Sequence, residues 1–217
     1  MLKDIVLEIH PFKPFVPKGA SALIVGTFPP VAQYRDFEFY YPNNMGNRFW
    51  IIMEYVFNHK FQYWKGGAAI EERKALCERE HIAITDMIEK CIRTEGNSSD
   101  KNLDKIEFRN AHKLLKDCST IQKVILTSRA DGNSEQIHKK HLSKSRGNSA
   151  LELLNEHLRE NGIIIQNLHK RESGLIEGEF RLVDRKMRIF VPYTPVARWY
   201  NSQKRKVNDM YKDSFDA

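Results

Sequence analysis

Ala22-Leu23-Ile24-Val25-Gly26-Thr27-Phe28-Pro29-Pro30 reads as a fully buried strand that stops abruptly. An uninterrupted apolar run breaks at Gly-Thr and then at two prolines, which cannot continue a sheet ladder. In an open α/β sheet, ligands sit at the carboxyl ends of the strands, so the segment from Gly26 to Trp50 is the expected mouth of a site. Beyond it, Asn47-Arg48-Phe49-Trp50 opens a helix. Phe49, Ile52, Met53, Val56 and Phe57 recur at the spacing that puts them on one helical face. The connection between strand and helix, residues 28–46, carries Tyr34, Phe37, Phe39, Tyr40 and Tyr41. A connection that long is more often functional than idle, and aromatics that dense must pack or stack on something.

Further along, the same grammar repeats. His81 to Ile88 reads as a second buried strand with Asp86 near its carboxyl end, and Ile121 to Ser128 as a third. Glu179 to Val183 and Lys186 to Val191 flank Asp184-Arg185 as a hairpin, the latter strand stopping at Pro192-Tyr193-Thr194-Pro195. Ile163-Ile164-Ile165 could be one more strand. Helices are expected over 68–80, 108–117 and 150–160, the last closed by Asn161-Gly162. Residues 93–103 read as loop. Residues 129–148 form a polar excursion with Lys139, Lys140, Lys144 and Arg146, facing either solvent or phosphate.

Alternating helices and short apolar strands predict a three-layer α/β/α domain around a central, mainly parallel, four- or five-stranded sheet. One domain spanning 1–217 suffices for this length, with residues 1–20 as an N-terminal arm and 196–217 as a C-terminal helix. The two proline-bounded strand ends would share one rim of the sheet.

Lys and Arg outnumber Asp and Glu 35 to 28, for a formal charge of +7, which favours a polyanionic partner. Cys77, Cys91 and Cys118 are too few and too far apart for a disulfide framework or a metal knuckle and are expected as reduced thiols. His112, His138, His141, His157 and His169 show no metal-ligand spacing, so no zinc is expected. No glycine-rich phosphate loop or dinucleotide fingerprint is present, so no cofactor is expected. Charges and prolines interrupt the N-terminus, and no apolar run approaches membrane-spanning length, so the chain is read as a cytoplasmic, soluble protein.

Gly26-Thr27-Phe28-Pro29, Phe39-Tyr40-Tyr41-Pro42, Asn47-Arg48-Phe49-Trp50, Ile82-Ala83-Ile84-Thr85-Asp86 and Val191-Pro192-Tyr193-Thr194-Pro195 together resemble the uracil-DNA glycosylase superfamily, most nearly its hypoxanthine and mismatch-type branch. The motifs are short but fall in the family's order from about residue 21 to residue 200. The resemblance implies a monomeric, monofunctional DNA glycosylase that hydrolyses the N-glycosidic bond of uracil or hypoxanthine in base excision repair. The chain also departs from the family. Phe28 stands where many members place a water-positioning Asp or Asn, which implies that Asn47 takes that role. Tyr193-Thr194-Pro195 replaces the family's usual Ser-Pro element, and three cysteines cannot build the iron–sulfur site of some members.

Breaking the bond to a base leaves an oxocarbenium-like sugar and an electron-rich leaving group, so the site must orient water on one side and donate hydrogen bonds on the other. Asn47 can hold a water but takes its proton poorly, which suits a dissociative reaction; Asp86 is the second candidate for water activation. A flipped-out base needs an aromatic surface and fixed polar groups. Phe28 or Tyr41 is the expected stacking surface, with the backbone around Gly26 and Thr27 meeting the base edge. Thr194, Pro195 and Arg198 are the expected contacts to DNA. Plainer roles compete: Asn47 as a helix cap, Phe49, Trp50 and Phe28 as packing, Asp86 as a turn residue, Arg198 as a solvated cation. Besides the enzyme, the same residues fit a catalytically weak nucleic-acid-binding module of this fold or a hydrolase of small nucleosides.

Overall fold

The computed structural model describes residues 7–42, 46–94, 99–129 and 149–217. The main sheet carries β2 (Ala22–Gly26), flanked in parallel by β3 (Ile82–Asp86) at the sheet edge and β6 (Lys123–Leu126). Every residue of β2 and β3 is buried, as continuous apolar runs require when helices cover both faces. Beyond β6, β9 (Arg185–Val191) also runs parallel, and β8 (Ile176–Leu182) and β7 (Gln166–Lys170) then add antiparallel. The sheet therefore has six strands in the order β3-β2-β6-β9-β8-β7, and it is mixed. This corrects the expected mainly parallel four- or five-stranded sheet. The hairpin return at Val183-Asp184 forces β8 antiparallel, and β7 follows it by a second tight return.

Side chains alternate across the sheet. Leu23, Val25, Ala83, Val124 and Leu126 face α3 (Ala111–Asp117) and α4 (Ala150–Glu160), where Leu115, Leu151, Leu154 and Leu158 are buried. Ile24, Ile82, Ile84 and Ile125 face α1 (Phe49–Val56), α2 (Gly66–Arg79) and α5 (Ala197–Asp216), meeting Ile52, Met53, Leu76, Val207 and Met210. Three layers result. The loop aromatics pack here too: Phe37, Phe39 and Tyr40 are buried, and Trp50 donates its indole N–H to the Tyr40 carbonyl at 3.0 Å.

A second sheet was not anticipated. β1 (Leu7–Ile9), β4 (Ile88–Arg93) and β5 (Leu103–Phe108) form an antiparallel ribbon in the order β1-β4-β5. The run read as one strand over 81–88 is two, because Met87 and Ile88 turn their amides back to the Gly26 and Thr27 carbonyls and the chain leaves one sheet for the other. The expected helix at 108 begins at Ala111 instead, capped by Asn110, whose side chain accepts the Lys113 amide at 2.8 Å. Ile163 to Ile165 lie outside any strand. Lys139, Lys140, Lys144, Arg146, His138 and His141 lie outside the described residues. Among the described residues no helix is long and apolar enough to cross a membrane.

α4 begins on a reciprocal cap: Ser149 accepts the Glu152 amide while the Glu152 carboxylate accepts from the Ser149 backbone. Ser149→Ala removes that exchange and is expected to cost about 1 kcal/mol of unfolding free energy, read from urea denaturation with an unchanged slope.

Candidate active site

Parallel strands in register end at one rim. Gly26 pairs with Asp86, and Val25 pairs with Leu126, so Thr27, Asp86 and Thr127 arrive side by side. Above them lies a cavity of about 350 Å³, at the small end of the range for small-molecule sites. Its floor is Gly26 to Pro30, with Asp86, Thr127 and Ser128; its walls are Tyr40, Tyr41 and Pro42 on one side and Ser99 and Asp100 on another. Asn47 and the segment Thr194 to Val196 close it.

The floor needs a glycine. A Cβ on Gly26 would lie 2.2 Å from Asp86 Oδ1 and 2.9 Å from the Tyr41 hydroxyl. Asp86 is buried, and its Oδ2 lies 2.9 Å from His10 Nε2. Because the Phe12 amide donates to His10 Nδ1 at 3.1 Å, the neutral ring carries its proton on Nε2 and donates it to Asp86. The Tyr41 hydroxyl shares a 3.1 Å hydrogen bond with Thr127 Oγ1, and its ring stacks on Phe49 at 4.1 Å. Loss of water pushes the Tyr41 phenol well above its ordinary pKa, and the Asp86 charge adds to that, so it acts as a neutral hydroxyl. Thr27 Oγ1 meets Ser128 Oγ at 2.9 Å, and Ser128 Oγ accepts the Ala150 amide at 2.7 Å, tying the rim to α4.

Phe28 is half-buried beside the cavity. The edge of His10 meets it with ring centres 5.4 Å apart, and the Arg93 guanidinium lies 5.7 Å from its centre. Arg93 in turn donates to both Glu8 oxygens and to the Pro29 carbonyl.

Asn47 stands at the junction of the two proline-bounded loops. Its backbone bridges Val196, and the Arg48 amide donates to the Pro195 carbonyl at 2.6 Å. Its Oδ1 accepts the Phe49 amide at 2.9 Å, while its Nδ2 has no partner among the described residues. The side chain both caps the first turn of α1 and borders the cavity.

Asn47, Asp86, Gly26, Thr27, Phe28, Tyr41, Thr194 and Pro195 are thus gathered around one cavity. Arg198 falls in the first turn of α5, and its side chain lies outside the described residues. Sequence reasoning missed His10, Asp100, Thr127 and Ser128. Thr127-Ser128 carried the same signal as Gly26-Thr27, a polar step at the end of an apolar strand; His10 and Asp100 carried none. Cys77 and Cys91 are buried thiols whose pKa is raised by burial, and no three metal-ligating side chains converge among the described residues.

Asp100 has the most displaced carboxyl of the site. Withdrawal from water raises its pKa to about 7, with the Asp86 charge adding and the Thr27 hydrogen bond and Arg93 opposing.

No family model matches the chain, and no curated protein matches it. Among solved structures, it is similar to the solution NMR structure of a "putative Uracil DNA glycosylase" from Methanosarcina acetivorans, with a TM-score of 0.58, 15% identity and 97% of each chain covered. At that identity the likeness is one of fold. The protein has a uracil-DNA-glycosylase-like α/β fold.

Two outcomes follow from this geometry. Gly26→Ala is expected to cost about 1–3 kcal/mol in chemical denaturation, because the floor has no room for a methyl group. Asp100, with a folded pKa above its ordinary 3.8, stabilises the fold fully below that value and loses the contribution as pH rises through about 7. Asp100→Asn is therefore expected to gain on the wild type in thermal melts at pH 8 and not at pH 4.

Proposed function

We propose that this protein is a monofunctional DNA glycosylase that hydrolyses the N-glycosidic bond of a deaminated base, uracil or hypoxanthine, during base excision repair. The observation that carries the reading is the joining of Asn47 to Val196 and of Arg48 to Pro195, which brings an amide side chain and both strand-end loops onto one cavity. The glycosylase-like fold supports it, as does the formal charge of +7, which suits a phosphate backbone.

In this reading a nucleotide flips out of the duplex and its base enters between Phe28 and the Tyr41 side of the cavity. Thr27 and the neutral Tyr41 hydroxyl meet its polar edge. Asn47, held by the Phe49 amide, positions the water, and the Asp86 carboxylate stabilises the sugar cation as the bond opens. Thr194 and Pro195 border the path of the strand, and Arg198 follows them on the first turn of α5. The protein acts as a monomer, without metal or cofactor, in the cytoplasm.

The test is a panel of single- and double-stranded oligonucleotides carrying uracil or hypoxanthine, with alkali cleavage reporting abasic sites. Wild type is expected to generate them. Asn47→Ala is expected to lose on the order of 10²-fold in rate while still shifting duplex DNA in a gel. Binding by the wild type across the panel without abasic sites would instead assign a non-cleaving recognition module.

A further inference from the structure

Resting on the glycosylase reading, we propose that Asp100 is the general acid of this pocket and delivers a proton to a ring nitrogen of a departing purine. Two carboxyl groups, Asp86 and Asp100, border the cavity, and among the described lining residues there is no lysine, arginine or histidine. A base leaving as an anion would face the Asp86 carboxylate. In a cavity partly walled off from bulk water, like charges repel more strongly than they do in solution. Departure as a neutral molecule avoids that repulsion, and neutral departure needs a proton.

Asp86 is engaged as an acceptor. It accepts the Nε2–H of His10, whose other nitrogen is occupied by the Phe12 amide, so the pair is arranged for acceptance. Asp100 sits on another wall of the same cavity, on a short helical turn formed by Asp100–Asn102. Several groups face it. Asp86 on β3 and the Thr27 hydroxyl after β2 stand on the floor of the cavity, and the Arg93 charge on β4 acts on it as well, itself paired with Glu8 on β1. The carboxyl is raised to about 7, burial being the largest cause, so it is still largely protonated slightly below neutrality. One carboxyl that accepts from a histidine and a second raised by burial border the same cavity, the kind of pair in which the second serves as acid.

The step balances without a further reactant. The C1′–N9 bond breaks with its electron pair moving onto the base, and the Asp100 proton is transferred to N7 or N3. The purine leaves neutral. Water then bonds to C1′ and gives its proton to the Asp100 carboxylate, restoring the acid. Uracil has no basic ring nitrogen to take the proton, so the site selects purines.

The test uses the full chain with oligonucleotides bearing hypoxanthine, uracil or 7-methylguanine, whose cationic base leaves neutral without acid help. Hypoxanthine release by wild type is expected to fall about tenfold per pH unit above about pH 7. Asp100→Asn is expected to lose that descending limb and to slow hypoxanthine release on the order of 10²-fold at pH 6. Its loss on 7-methylguanine is expected to be at least tenfold smaller. Circular dichroism and duplex binding check that the variant is folded. Equal losses on both purines, an unchanged pH profile, or wild-type uracil release as fast as that of hypoxanthine would overturn the assignment and leave the glycosylase reading standing. Cleavage of none of the three substrates by wild type would overturn both.

Discussion

The register of three parallel strands is the constraint on which the site depends. Side chains alternate along a strand, so a one-residue slip of β3 against β2 would turn Asp86 away from the Gly26 floor and put Thr85 there. The slip is prevented by burial on both sides. Leu23 and Val25 are committed to one helical layer, and Ile24 to the other, with Ala83 and Ile84 answering them across the ladder. Site geometry is therefore inherited from core packing. The one departure from that packing is Gly26, a residue without a side chain inside a fully buried strand, whose missing Cβ leaves room for the Asp86 carboxylate and the Tyr41 hydroxyl to converge.

The small sheet explains how a carboxylate can be kept buried at the bottom of the cavity. A buried polar group is costly unless its hydrogen bonds are made. The arm that carries His10 is held by β1 pairing with β4 and by Arg109, which donates to the Glu89 carboxylate, the Tyr40 hydroxyl and the Phe12 carbonyl. Glu8 meanwhile satisfies Arg93 behind Phe28. The aromatic loop is clamped differently. Arg73 on α2 is wholly buried among Phe37, Trp50, Phe61 and Trp64, with Phe61 closest at 4.1 Å, and it donates to the Tyr63 and Ala69 carbonyls. Its Nε and Nη2 have no hydrogen-bond partner among the described residues. Burial accordingly lowers its pKa to about 10, and the ring faces supply part of the missing solvation.

How much of this could be read from the chain alone follows from which signals are local. The strand ends were legible because apolar runs stopping at glycine, proline or aspartate are written in consecutive residues. Gly26, Thr27, Phe28, Asp86, Thr194 and Pro195 were found that way. Helix α1 was legible from its period. The ribbon of β1, β4 and β5 was not, because β4 (Ile-Glu-Lys-Cys-Ile-Arg) buries only Ile88 and Cys91 and so lacks the alternation that marks a half-buried strand. β7, almost entirely exposed, lacks it too. His10 owes its environment to Asp86, 76 positions away, and Asp100 owes its own to Thr27, Asp86 and Arg93 on three separate strands or strand ends, and no spacing rule relates them.

In the proposed reaction Asn47 would combine a structural and a catalytic role. A water-positioning amide is useful only if its orientation is set before the substrate arrives, since reorienting it during the reaction would return the energy gained. The Phe49 amide sets that orientation by occupying one lone pair of Oδ1, while the bridge to Val196 and the Arg48 bond to Pro195 fix the backbone beneath it. In that reaction the helix cap would be the means of preorganisation. It also links the two halves of the cavity: Asn47 cannot shift without moving Pro195, so in the proposed reaction the wall beside the DNA strand and the group holding the water would be one mechanical unit.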